Sequence, residues 1–159
     1  MNAKPALGCL ASAGQAVWWR GGTIDVKLTA AQTDGCVGMW LWHARGGNTA
    51  PLHVHHREDE RFLLIEGEAR FVIGGHAVDA TAGDLVFLPR ETPHAYLITS
   101  ETAVLVGMVT PAGFESFFAD VGSPVSDGSP TETSPSDEMF RRIAPRYGID
   151  ILGASPLRD

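Results

Sequence analysis

The chain has 159 residues, 44% of them hydrophobic and 19% charged, with a formal net charge of -7. That is length for one domain whose core needs no staples, in an ordinary globular composition. No basic run exists to neutralise phosphates, which argues against a nucleic-acid or anionic-membrane surface.

In chain order, residues 1–16 read as an N-terminal arm: they hold small residues and no sustained apolar run, so neither an export signal nor a membrane span is expected. Cys9 and Cys36 lie far apart, and neither has a second cysteine at zinc-ribbon spacing. Free thiols in a reducing cytosol, and hence a cytoplasmic protein, are the expectation.

Residues 17–122 read as one β-domain. TIDVKLTA (23–30) alternates apolar and polar residues, and VGMWLWHAR (37–45) is rich in strand-favouring Trp and Val. ERFLLIEG leads through Gly67 into ARFVIGG as a hairpin-like pair, and GGH turns into HAVDAT. GDLVFLP, HAYLITS and TAVLVGMVT follow, and helical periodicity is absent over 23–110. The pattern predicts an all-β sandwich or barrel.

The character changes at Pro111. Phe114, Phe117, Phe118 and Val121 have amphipathic-helix spacing, with Gly122 at the end. Residues 123–136 are Ser/Pro/Thr-rich and read as a linker. Residues 137–159 start with a short helix that has Ser136 as N-cap and Met139, Ile143 and Tyr147 on one face; Pro145 should shorten it.

The chemistry concentrates in PLHVHHREDERF, residues 51–62. His53 and His55 are two apart, so an extended strand projects both from one face. Glu60 opens the next strand, and His94 opens another after a proline-marked turn. A curled antiparallel sheet could aim three imidazoles and a carboxylate at one point, a set that suits iron, manganese, nickel, cobalt, copper or zinc. A solvated loop is the bland alternative.

A resemblance weighs on the choice. Gly47, His53, His55, Glu60 and Gly67 match the first motif of the cupins, small double-stranded β-helix (jelly-roll) proteins, at every fixed position. Gly83, Pro89 and His94 match the second motif, which has Gly where this chain has Glu91 and Asn where it has Ile98. The Glu91 departure suggests that the turn before His94 needs no positive φ here. The sequence also resembles single-domain cupins described as quercetin 2,3-dioxygenase-like. That resemblance implies a jelly-roll barrel with short C-terminal helices and one divalent metal held by His53, His55, Glu60 and His94. It also implies a small-molecule substrate, O2 as co-substrate and a homodimer.

Strand parity adds the surroundings. If Glu60 faces inward, so do Phe62 and Leu64; if His94 does, so do Tyr96 and Ile98. These four would wall a substrate pocket suited to a flat apolar or aromatic ligand, with the outward row Arg61, Leu63, Ile65 left to be covered. The expected activity is a dioxygenase for an aromatic or enolisable small molecule, with Glu60 as catalytic base. A non-oxidative isomerase, cyclase or lyase, and a non-catalytic small-molecule binder, are the alternatives. His56 and His76 are expected at the surface, Glu58 and Asp59 in a solvated turn with one of them able to orient His53 or His55, and His43 packed and hydrogen-bonded. The four tryptophans are expected in the core or at an interface.

Overall fold

The computed structural model describes residues 16–125 and 135–158. The expected arm up to residue 15, Cys9 within it, and most of the expected linker lie outside the described residues.

Two antiparallel sheets face each other. Eight strands occupy the first half of the fold: β1 (Ala16–Trp19), β2 (Gly22–Leu28), β3 (Gly38–Arg45), β4 (Leu52–His55), β5 (Asp59–Glu66), β6 (Glu68–Ile73), β7 (His76–Thr81) and β8 (Leu85–Leu88). Then come β9 (His94–Ile98), β10 (Thr102–Thr110), β11 (Ser123–Pro124) and β12 (Ile149–Gly153). One sheet runs β11-β1-β2-β3-β10-β5-β8 and the other β12-β4-β9-β6-β7. This is the expected all-β jelly roll.

Alternation builds the interior. In β3 Trp40, Trp42 and Ala44 point in; in β5 Glu60, Phe62 and Leu64 do; in β10 Ala103, Leu105 and Val109 do. Trp40 lies across Gly107, where a Cβ would fall 2.1 Å from the indole, so a side chain there would expel the ring. The large aromatic in β3 and the missing side chain in β10 are one packing decision.

Three short α-helices stand among the described residues. The four-residue α1 (Ala30–Thr33) interrupts a region read as wholly strand, and its Thr29/Gln32 capping box marks the start. A 3-10 turn at Phe114–Ser116 runs into α2 (Phe117–Val121), with Phe114, Phe117, Phe118 and Val121 buried as the spacing predicts. Ser136 caps α3 (Asp137–Ile143) by accepting from the Met139 N–H at 3.1 Å. Pro145 sits in the 3-10 turn Ala144–Tyr147 that ends it.

Two further expectations differ from the structure. The stretches flanking Gly67 do not pair with each other: β5 pairs with β10 and β8, whereas β6 pairs with β7 and β9. Gly67, at φ 82, is the corner at which the chain changes sheets, and a Cβ there would sit 2.4 Å from the Thr102 carbonyl oxygen. Glu91 does adopt positive φ, at 61°. Its N–H donates to the His55 carbonyl at 2.8 Å, and its carboxylate lies 2.9 Å from His56 Nδ1, which together offset the left-handed backbone.

Candidate metal centre

The four candidate ligands come from both sheets. His53 and His55 stand on β4 and His94 on the neighbouring β9, directly opposite His53; Glu60 reaches them from β5 of the facing sheet. All four side chains are buried, and one donor atom of each lies within 4.8 Å of the others. Donors about 2.1 Å from a common ion are separated by roughly 3–4 Å, so the cluster is near coordination distance. Glu60 Oε2 is 3.5 Å from His94 Nε2, and the His53 and His94 rings are 4.4 Å apart.

The hydrogen bonds set which nitrogen is offered. His53 Nδ1 lies 2.8 Å from the Pro51 carbonyl and His94 Nδ1 2.9 Å from that of Thr92, so each places a proton on Nδ1 and leaves Nε2 as a lone pair. The Nε2 atoms of His55 and His94 are buried with no hydrogen-bond partner. Buried polar atoms left unpaired cost about 1–3 kcal/mol each, and a bound cation would remove that cost. Burial, reinforced by His94 and His55, pushes His53 well below the ordinary histidine range. It therefore stays neutral, the form that binds metal. The donor set fits a divalent transition ion.

Above the cluster lies a cavity of about 30 Å³ whose wall includes His53 and Glu60. Phe62 and Tyr96 line it; Leu64 and Ile98 are buried but do not. Its other aromatic walls come from Trp19, Trp40 and Trp42 on one sheet and from Phe114, Phe118 and Phe140 on the helical segments, with Ile24 and Ala50 between them. Of the four tryptophans, Trp19, Trp40 and Trp42 are in the core and double as cavity wall, whereas Trp18 is only partly buried. Phe140, on α3, lies off the face expected through Met139, Ile143 and Tyr147: Phe140 and Ile143 are the helix's buried residues, and Met139 is only partly buried. Burial pushes the Tyr96 hydroxyl up to about 12, with Trp19 as its hydrogen-bond partner, so it remains protonated.

Other residues separate into near and far. His56 is exposed and bridges Glu91 at 2.9 Å and Asp150 at 3.1 Å, and His76 is exposed, both as expected. His43 is exposed rather than packed: with Trp42 turned inward, its neighbour on the strand must turn out. Glu58 is buried at 3% exposure rather than solvated, with Oε2 3.5 Å from His55 Nδ1. Asp59 is held by Arg90.

The family model for the cupin domain matches residues 40–110. This span is a cupin domain. A quercetin 2,3-dioxygenase from Bacillus subtilis is 29% identical over 119 residues, 74% of this chain and 35% of that protein. A quercetin 2,3-dioxygenase from Aspergillus japonicus is 27% identical over 89 residues, 53% of this chain and 25% of that protein. The chain thus spans about a third or less of the length of these two relatives. Among solved structures, an oxalate decarboxylase variant from Bacillus subtilis superposes with a TM-score of 0.57 at 22% identity, covering 64% of this chain and 28% of that one. KdgF from Halomonas sp. superposes with a TM-score of 0.53 at 15% identity, covering 58% of this chain and 81% of that one. These two support the jelly-roll fold of the cupin domain. Among the described residues no helix is long and apolar enough to cross a membrane.

Proposed function

We propose that the protein is a metal-dependent dioxygenase acting on an aromatic or enolisable small molecule, with His53, His55, Glu60 and His94 as ligands of one divalent ion. The observation that carries this reading is the convergence of four buried donor groups within 4.8 Å beneath an aromatic cavity. A bound ion would supply Lewis acidity, polarising a substrate oxygen and lowering the pKa of a substrate hydroxyl. Glu60 is the proton acceptor: it is the one carboxylate in the cavity wall, and it sits on the sheet opposite the imidazoles. The aromatic wall excludes water from the electron-rich form of the substrate that proton loss creates.

Size limits the substrate. Pockets for drug-sized ligands run to about 300 Å³ and more, and one water needs about 10–15 Å³. A cavity of about 30 Å³ holds one or two waters in the conformation observed. A flavonol enters only if part of the wall withdraws, and α3, which brings Phe140, is the peripheral element of that wall.

The same small cavity favours a second reading, a non-oxidative isomerase, cyclase or lyase that polarises the carbonyl of a compact substrate while Glu60 moves a proton. Oxygen uptake with flavonols and other enolisable aromatics, on protein of measured metal content, separates the two. Uptake that needs the metal, and falls at least about 100-fold in Glu60→Gln with the fold kept, supports the oxygenase. Turnover without uptake supports the second reading, and wild-type rates in Glu60→Gln remove Glu60 as base.

A homodimer belongs to the same reading. The outer face of the larger sheet carries the cross-strand row Leu41, Val106, Leu63, Leu85. Leu85 in this row is 59% exposed, and Ile65 and Phe87 beside it are 46% and 48% exposed. A second copy meeting this apolar face through a two-fold axis would cover it.

A further inference from the structure

Of the three inward imidazoles, His55 alone lacks a backbone acceptor for Nδ1. His53 and His94 use the carbonyls of Pro51 and Thr92, whereas His55 Nδ1 is buried without a hydrogen-bond partner. Facing it at 3.5 Å is Oε2 of Glu58, which is also buried and unpartnered. Charge-assisted hydrogen bonds close at about 2.7–2.9 Å, so these two atoms stand more than half an ångström short of a bond. The short turn between β4 and β5 folds the Glu58 carboxylate back toward the strand it has just left. The His55 ring also meets Phe114, 4.7 Å away edge to face, which offers no oxygen acceptor.

Two facing, buried and unsatisfied groups need something to complete them. An ion on His55 Nε2 would require the ring's remaining proton to sit on Nδ1. That N–H then needs an acceptor, and Glu58 Oε2 is the atom placed to serve.

We propose that Glu58 is a positioning residue of the metal centre: its carboxylate accepts the His55 Nδ1–H when an ion occupies Nε2, fixing the ring and raising its strength as a ligand. The inference rests on the metal-centre reading above. It makes the three imidazoles unequal, two backed by neutral carbonyls and one by a carboxylate. Together Glu58 and Glu60 place two negative charges around one dication, so the loaded centre is neutral in a low-polarity interior.

The test compares wild type with Glu58→Gln, which keeps the shape of the side chain and removes its charge, and with Glu58→Ala. Metal-free protein is titrated with Zn2+ against a chromophoric chelator. Loss of such a carboxylate typically weakens metal affinity about 10–100-fold, and that is the expected loss in both variants. In Zn2+-loaded, histidine-labelled protein, the His55 Nδ1–H resonance should lie downfield and exchange slowly. In Glu58→Gln it should move upfield while those of His53 and His94 stay in place. A merely structural Glu58 would lower the melting temperature of the metal-free protein and leave both readouts unmoved. Wild-type Zn2+ affinity in Glu58→Gln, or an unshifted His55 resonance, overturns the proposal. Should Glu58→Ala not fold, the Gln variant decides. Wild-type protein that binds no divalent ion would overturn this proposal and the metal centre together. Binding that depends on Glu58 without oxygen uptake would remove only the dioxygenase.

Discussion

Asp59 lies between the two glutamates and is tied up in a different way. Its carboxylate accepts from the Arg90 backbone N–H at 3.0 Å and from the guanidinium at 3.0 and 3.1 Å, which fastens the turn before His94 to the first residue of β5. These bonds hold Asp59 at about 2, against an ordinary 3.8. A carboxylate depressed in the folded state stabilises it above its unfolded pKa, and the contribution disappears as pH falls through the folded value. The pair is partly exposed, so solvent screening limits it to about 1 kcal/mol. Asp59→Asn should therefore be less stable than wild type by that amount at neutral pH, with the difference closing between about pH 4 and pH 2. Urea denaturation at the two ends of that range measures it. His56 titrates in the opposite sense: the hydrogen bonds of Glu91 and Asp150 raise it, so its contribution is present below 6.5 and lost as pH rises through the raised value.

Among the elements, α3 contributes Phe140 to the wall of the small cavity. Arg20 holds it through Asp137 at 2.9 Å, with its guanidinium also 5.4 Å from the Phe140 ring, and that ring stands 6.4 Å from His53. Phe140→Ala should cost about 3 kcal/mol or somewhat more in stability, the usual loss for a buried phenylalanine. If α3 is the cover, the variant should also bind flavonol-sized ligands more tightly than wild type. Fluorescence titration gives the affinity and urea melts the stability; an affinity equal to wild type would mean that the wall opens elsewhere. The helix was legible in the sequence from Ser136 and Pro145, but its burial of Phe140 was not, because an amphipathic pattern on seven residues fixes a face only loosely. Strands were legible wherever alternation ran long: Glu60, Phe62 and Leu64 face inward as parity requires, and the same parity applied to Trp42 would have turned His43 outward. Pairing was less legible than strand existence. Gly67 at positive φ signals a hairpin and a change of sheet equally well, and only distant partners on β9 and β10 decide. β12 gave almost no local signal, since five residues with one fully buried side chain are made a strand by β4. The turn was expected to offer an acceptor for His53 or His55, but the burial of Glu58 was not legible: a glutamate in a charged turn looks solvated until the fold shows which side it takes.

On the scale of the molecule, the larger sheet has one face in the core and one in search of a cover. Leu85 and Phe87 stand on β8, the edge strand, with the Arg61 guanidinium 4.9 Å from the Phe87 ring. Leu85→Lys on this face should convert a dimer to a monomer in sedimentation equilibrium while leaving Zn2+ affinity within about twofold, since the side chain faces away from the interior that holds the candidate ligands. A wild-type monomer at micromolar concentration would remove the dimer.

The way β4 is held has a consequence for biogenesis. It meets β9 at a single register pair, His53 with His94, but meets β12 at four, beginning with Ile149 beside His55. A nascent chain in which His94 has already left the ribosome still lacks the partner that keeps β4 straight. On the metal-centre reading, capture of an ion should therefore wait until the residues around 150 have been made and have zipped onto the histidine strand.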